Sequence, residues 1–576
     1  MIRRALPSFL QAEFDQFMIL SRGSVRSLLN AALLARDSDP SQFAIWSLVL
    51  LSTPPTMYGF REMVRYSALS YETDAVIEQM IQVDRTFFLL YGMLVAALVA
   101  ATTWEALLPD RADQEIVGSL PVRARTIAAA RLGAAIWTAG VAASTISVPA
   151  AILLTVAAPS HPALGFFPFV LFAHLVSTIG GSLFFFILLL ILRAAMAICF
   201  GAKTSERLAT LMQLLTIAGL AEVFFFIPSV IPALIARLAA GDPAALLIPS
   251  TPFAALYAWL VGVRYPSLGL MASMAPLALL SAIGVVIPLY LWPARLFARR
   301  VLEAQPHQHA GFVSSLARGA AVALPSSPAV RSVLTFTVTT LLRSRPHRLI
   351  VTAYLGAALA VGTVSVIAGG LRGAVTFAEP VASLLALPLV LLFFLTTGLR
   401  AAFAVPSDMD ANWAFRLSRP RVLSAIDATS IAVFLLATAP VCASSGLVGL
   451  LLGWSRHDVL VVVALDAMCG AVFIESALRD WKIVPFTCAR SGDAEAIKSR
   501  WLGQILPLLL FAFVNAAIQK AVLASNRAVA LYMTVAMIAL VLLRIRLRVA
   551  AQDADLQFDA SPPDAMASLN LSDAIN

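Results

Sequence analysis

A chain of 576 residues that is 60% hydrophobic and only 13% charged, with a mean hydropathy of +0.87, cannot cover its surface for water, because soluble domains carry roughly a quarter charged residues. Composition therefore excludes a soluble globular protein and makes lipid the solvent. The net charge of +9 calls for no nucleic-acid partner, since a bias of basic residues to the cytoplasmic side of a membrane accounts for it.

Many apolar runs exceed the ~18 residues that cross a bilayer as a helix, and they do not alternate with period two, so helices are predicted rather than barrel strands. No cleavable signal peptide is expected, because Arg3, Arg4, Glu13, Asp15, Arg22, Arg26 and Asp37 surround no suitable apolar core. Residues 8–36 instead place Phe14, Phe17, Met18, Val25, Leu28, Leu29 and Ala32 near one face, the pattern of an amphipathic helix lying in the headgroup layer. A first span follows at 43–60, interrupted by Pro54-Pro55, then a polar, acid-leaning outer loop at 61–85 and a second span at 86–104. A charged, proline-bounded insert, Trp104–Arg125, leads to a third span at 126–156. The fourth span, 165–196, carries a break signal at Gly180-Gly181, and the fifth covers 208–236. Residues 242–266, rich in proline and aromatics, read as a re-entrant or interfacial segment before a sixth span at 268–292.

A basic linker at 294–330 has Glu303 as its only acid, and after it the pattern restarts. Val330, Val333, Leu334, Thr337, Val338, Leu341 and Leu342 form a second amphipathic face, followed by spans at 349–369 and 381–399. A second insert, Phe403–Pro420, precedes spans near 423–452, 459–478, 501–523 and 528–547, and the tail from Ala551 is acidic, polar and expected to be disordered. Cys199, Cys442, Cys469 and Cys488 have no metal-type spacing and read as small hydrophobes.

With both termini inside, every second loop should be basic. The N-terminus, both inserts, 193–207, 294–348, 479–500 and the Arg544–Arg548 end all are. The alternate loops hold few arginines, and 61–85 is net acidic. The fold class expected is therefore an all-α polytopic membrane protein of about twelve spans, with N- and C-termini cytoplasmic. The halves share one order of elements, which gives a tandem six-plus-six repeat. Its domains are 1–293, the linker 294–330, a second half 331–549 and the tail 550–576. Pro109, Asp110 and Asp113 answer Pro406, Ser407 and Asp410, and Ser119 and Pro121 answer Ser418 and Pro420 after a short slip. In each insert an Asp or Ser after proline is placed to cap a short helix.

The segments Trp104–Arg111 and Ser119–Thr126, with Val405–Asp408, Asn412–Arg416 and Pro485–Cys488, resemble the permease subunit of the type-2 ATP-binding-cassette exporter class. The resemblance implies, in each half, an interfacial first helix, six spans and a cytoplasmic coupling helix that seats in an ATPase subunit. Ordinary members of the class carry one six-span half per chain, and the repeat is expected to put both halves in this one. The residues the resemblance assigns to coupling are Glu105, Pro109, Asp110, Arg111, Asp113, Arg123 and Arg125 in the first insert, and Pro406, Ser407, Asp408, Asp410, Arg416 and Pro420 in the second. Setting topology is sufficient reason for most of these arginines, and Trp104 and Trp413 read first as interface anchors. No phosphate-binding loop accompanies Lys203-Thr204. The chain is therefore expected to bind no cofactor and not to be an enzyme, with ATP and Mg on separate ATPase subunits in the bacterial inner membrane.

His174, Gln213, Glu222, Asp466 and Glu475 lie inside predicted spans, where polar groups are costly and either pair with neighbouring helices or serve transport. Two other functions compete: a secondary transporter of about twelve spans, which needs carboxylates facing one another near the midplane, and a lipid-linked glycosyltransferase using Asp74 and Asp84. No paired Asp-x-Asp, His cluster or nucleophile arrangement accompanies those two acids. Nothing in the residues specifies the transported substrate.

Overall fold

The structure is a computed structural model, and it describes residues 15–25, 40–68, 73–103, 121–157, 167–200, 202–264, 267–294, 319, 327–371, 379–407, 413–418, 420–488, 511–552 and 554–557. Among them no residue is in a strand, and nine helices are long and apolar enough to cross a membrane. The protein is an all-α polytopic membrane protein. The chain forms two compact units, Met1–His307 and Gln308–Asn576, which meet within the predicted linker.

Unit 1 contains α1 (15–25), α2 (Pro40–Ala68), α3 (Asp74–Thr103), α4 (Ala124–Ala157), α5 (Phe167–Cys199), α6 (Ala202–Ala239), α7 (Thr251–Leu260) and α8 (Leu268–Leu291). Its long helices alternate in direction, because their contacts sort into two ends. At one end Ala96 and Ala100 of α3 meet Leu132–Ala139 of α4, Phe186–Met196 of α5 and Ala282–Tyr290 of α8. The first helix lies at this end, with Phe17 against Gly133 and Val25 on the same core. At the far end Leu89 and Met93 meet Leu234, Leu238, Phe253 and Leu268, while Phe88 packs with Tyr66, Ile77 and Leu154.

Three local readings change. Helix α2 runs through Pro54 and Pro55. Proline 55 removes the N–H that would bond Leu51, and the Tyr91 hydroxyl donates to the Leu51 carbonyl instead, at 2.8 Å. Helix α5 is unbroken at Gly180-Gly181. A Cβ on Gly181 would lie 2.8 Å from Leu89 and 3.3 Å from Phe253, so this glycine serves close helix approach rather than a break. The predicted polar loop 61–85 is mostly helical, formed by the facing ends of α2 and α3. The segment 242–266 holds a short 3₁₀ turn capped by Asp242 and then α7. At ten residues, about 15 Å, α7 is too short to cross and is buried at the far end against α5 and α8.

Unit 2 contains α9 (Pro328–Arg343), α10 (Arg345–Leu371), α11 (Ala382–Phe403), α12 (Trp413–Ser418), α13 (Val422–Leu451), α14 (Arg456–Ala477), α15 (Phe511–Val522) and α16 (Asn526–Gln552). Ser327 caps α9 and Pro328 occupies its first turn. The buried face of α9 is Val330, Val333, Leu334, Thr337, Val338 and Leu341, as its spacing predicts. That face joins the ends of α11, α14 and α16 in one core. A second core at the far end joins α10, α11, Trp454, α14 and α15. Each unit therefore begins and ends at the end where its amphipathic helix lies. Helix α13 carries a π turn at Phe434–Thr438, where Pro440 denies Leu436 its helical donor. Of the tail expected to be disordered from Ala551, Ala554 and Leu556 pack on the core, while 558–576 lie outside the described residues.

The α10–α11 hairpin is closed by Gly398, where a Cβ would lie 2.7 Å from the Tyr354 Cβ and 2.8 Å from its Cγ. Neither is the end of a flexible chain, so Gly398→Val must part the helices. It is expected to cost about 1–3 kcal/mol, read as a lowered thermal unfolding midpoint in detergent. An unchanged midpoint would show that the two helices do not need this approach.

Candidate functional site

Of the first insert, Glu105, Pro109, Asp110, Arg111 and Asp113 lie outside the described residues, as does Trp104. Arg123 and Arg125 are exposed at the start of α4, where the Arg123 carbonyl accepts from the N–H groups of Thr126 and Ile127. Of the second insert, Asp408 and Asp410 lie outside the described residues. Pro406, Ser407 and Pro420 frame α12, which contains Arg416.

The frame around α12 is built from three stretches distant in sequence. Residues 481–488, Trp-Lys-Ile-Val-Pro-Phe-Thr-Cys, pass through the core of unit 2 with every side chain but Lys482 buried. Their backbone clamps the end of α11: the Phe486 N–H donates to the Phe403 carbonyl at 2.8 Å, and the Ser407 N–H donates to the Phe486 carbonyl at 3.1 Å. Phe486 sits at φ 68, a left-handed conformation that costs a bulky residue strain. Its ring lies 4.6 Å from His347, 5.4 Å from Phe403 and 6.2 Å from Phe336, all edge-on. The His347 Nε2 lies 2.9 Å from the Val405 carbonyl, which assigns the proton to Nε2. The other nitrogen faces the Ser344 hydroxyl. The packing of His347 fixes the first turn of α10 to the second insert. The tail closes the frame: the Gln557 N–H donates to the Lys482 carbonyl at 2.9 Å, and the Cys488 thiol donates to the Gln557 carbonyl at 2.8 Å.

Helix α12 rests on this frame through Phe415, whose ring lies 4.9 Å from Phe336 of α9. Its other face is open, with Ala414 and Ser418 exposed and Leu417 77% exposed. The sequence singled out α12 and noticed Pro485–Cys488, but it missed His347 and the contact between the two stretches. A left-handed phenylalanine leaves no pattern in a sequence.

The intramembrane polar residues do not converge on one path. The buried His174 Nδ1 lies 2.8 Å from the Tyr257 hydroxyl, with Phe88 edge-on to the ring. Gln213 is buried and donates to the Ala101 carbonyl, and Glu222 is half-buried further along α6. In unit 2 the buried Asp466 accepts from Ser445 at 2.8 Å. Glu475 accepts two bonds from Arg544, at 3.1 and 3.2 Å, and Arg544 also holds Asp427, an acid the sequence reading passed over.

Unit 1 has a second polar cluster at its far end. Asp84 accepts from the hydroxyls of Tyr58, at 2.6 Å, and Tyr66. Glu62, fully buried, is held by Arg61 and by Arg65 at 3.1 Å. Asp84 is thus 1% exposed with both oxygens engaged. Compared with protein-family models, with curated proteins and with solved structures, the chain matches none.

Proposed function

We propose that the chain is the membrane-embedded permease of an ATP-driven exporter of the type-2 ATP-binding-cassette class, with two six-span halves in one polypeptide. ATP hydrolysis, with its Mg, belongs to separate ATPase subunits docked on the cytoplasmic face of a bacterial inner membrane. The observation that carries this reading is α12, a short helix set against α9 through Phe415 and open on the side bearing Leu417. The basic residues at both inserts support a cytoplasmic placement of that side. The pairing of Glu475 with Arg544 supports a structural role for that intramembrane acid rather than ion coupling.

Mechanically, closure of two ATPases on ATP would push on α12 and its counterpart in the first insert. Because Ser407 and Phe403 are bonded to Phe486, that push passes directly to α11 and, through His347, to α10. The test is purification of the tagged full-length chain from its native membrane and assay of any ATPase that co-purifies. Leu417→Asp is expected to leave the unfolding midpoint unchanged, because the side chain touches little of its own unit, while reducing co-purified ATPase at least about tenfold, as loss of an interface anchor does. A chain that binds no ATPase, and moves solute in liposomes on a proton gradient alone, refutes the reading.

A further inference from the structure

Residues 482–488 form a loop with a tip and a neck. At the tip the Thr487 N–H and hydroxyl both donate to the Val484 carbonyl, at 3.3 and 2.7 Å. Pro485 and Phe486 fill the two central positions of that turn, and Phe486 has φ 68. Turns with a positive φ at the second central position ordinarily place glycine there. Phenylalanine in that position is strained, and surrounding contacts have to hold it. At the neck one residue touches both sides of the loop. Gln557 donates its N–H to the Lys482 carbonyl at 2.9 Å, and its own carbonyl accepts from the Cys488 thiol at 2.8 Å. The tail thus ties the first residue of the loop to the last.

Gln557 reaches the neck on a lightly held stretch. Helix α16 ends at Gln552, and residues 554–557 are not helical. Ala554 and Leu556 are half-buried against the core, while Asp555 and Gln557 are exposed. Two hydrogen bonds and two half-buried apolar side chains are set against the entropy of ordering this backbone. That balance puts the tail at the low-stability end of its core, whereas the loop it ties is buried throughout except at Lys482.

We propose that residues 554–557 are a detachable latch on the Phe486 loop. Seated, the latch closes the neck and holds the strained tip against α11; released, it lets the turn relax and frees the second insert. The coupling is through the backbone of Phe486, whose N–H donates to Phe403 and whose carbonyl accepts from Ser407. Rotation of Phe486 out of φ 68 turns those two groups away, so the strain and the clamp are lost together. ATPase docking plays no part in this, and the latch stands or falls separately from it.

The experiment is hydrogen exchange, resolved to single amides by mass spectrometry, on the purified full-length chain in detergent. In the parent, the Gln557 amide is expected to exchange at least about tenfold faster than those of Phe486 and Ser407, because a latch must open while the clamp stays shut. Gln557→Pro removes the N–H that bonds Lys482, and a chain ended at Gln552 lacks the latch altogether. Each is expected to speed exchange at Phe486 and Ser407 at least about tenfold, the scale of one hydrogen bond. Amides of α13 and α14 around Ser445 and Asp466 are expected to keep their parent rates. If the shortened chain does not fold, Gln557→Pro decides the matter. A Gln557 amide as slow as that of Phe486 would make the tail a fixed part of the core and overturn the latch. Unchanged exchange at Phe486 and Ser407 in the variants would show that the neck does not hold the tip, and uniform acceleration through unit 2 would replace the latch by general destabilisation.

Discussion

Phe486→Ala is expected to lower the unfolding free energy by about 3–5 kcal/mol, the range for deleting a buried phenylalanine ring. The ring is 1% exposed and touches His347, Phe403 and Phe336, so its removal opens a cavity where three stretches meet. Alanine keeps the left-handed backbone at φ 68 and with it a strain of about 1–2 kcal/mol. Glycine adopts that conformation freely, so Phe486→Gly is expected to be the less damaging of the two despite losing one more carbon. Chemical unfolding in detergent, followed by tryptophan fluorescence, measures both. An alanine variant within 1 kcal/mol of the parent, on the order of an ordinary point change, would mean that the loop is not what secures the second insert. Loss of the clamp should also loosen Ser407, because its N–H is bonded to the Phe486 carbonyl.

The second large effect is expected at Arg544. Arg544→Met leaves Asp427 and Glu475 without their shared cation and should cost about 2–4 kcal/mol, since an orphaned acid in a low-dielectric site keeps its desolvation cost without the compensating attraction. The three side chains are 25%, 32% and 10% exposed, which places the cost below that of a fully enclosed pair. Adding Asp427→Asn and Glu475→Gln to Arg544→Met removes the uncompensated charge and is expected to restore most of the loss. Unfolding measured on the single and triple variants separates the two cases. A triple variant no better than the single one would mean that packing of the arginine stem, rather than charge, is what α16 supplies.

Much of this architecture could be read directly from residue spacing. The buried face of α9 follows from its 3.6-residue period, and the spans follow from apolar length. What escaped was whatever depends on a partner far along the chain. Residues 61–85 read as a loop because Glu62, Asp84 and Arg85 are charged, yet the hydroxyls of Tyr58 and Tyr66 allow Asp84 to be buried in a helical hairpin. Asp427 drew no reading, because its cation, Arg544, lies far along the chain. Gly180-Gly181 carries the same residue signal for a helix break and for close packing, and only Leu89 and Phe253 distinguish the two. The frame at the second insert could not be foreseen because Phe486 acts through backbone bonds that any residue type makes.

The return of each unit to the end where it began bears on how the chain is made. Unit 1 closes its helical circuit at Tyr290, on the same core as α1, before any helix of unit 2 has left the ribosome. Chains emerge from the N-terminus and fold unit by unit, so the first unit can complete its threading through the bilayer without waiting for the second. Within unit 2, α9 is laid down first and Leu547 returns to its core last. Each unit thus ends its own circuit on the core where it began, so neither depends on the other to bring its last helix back.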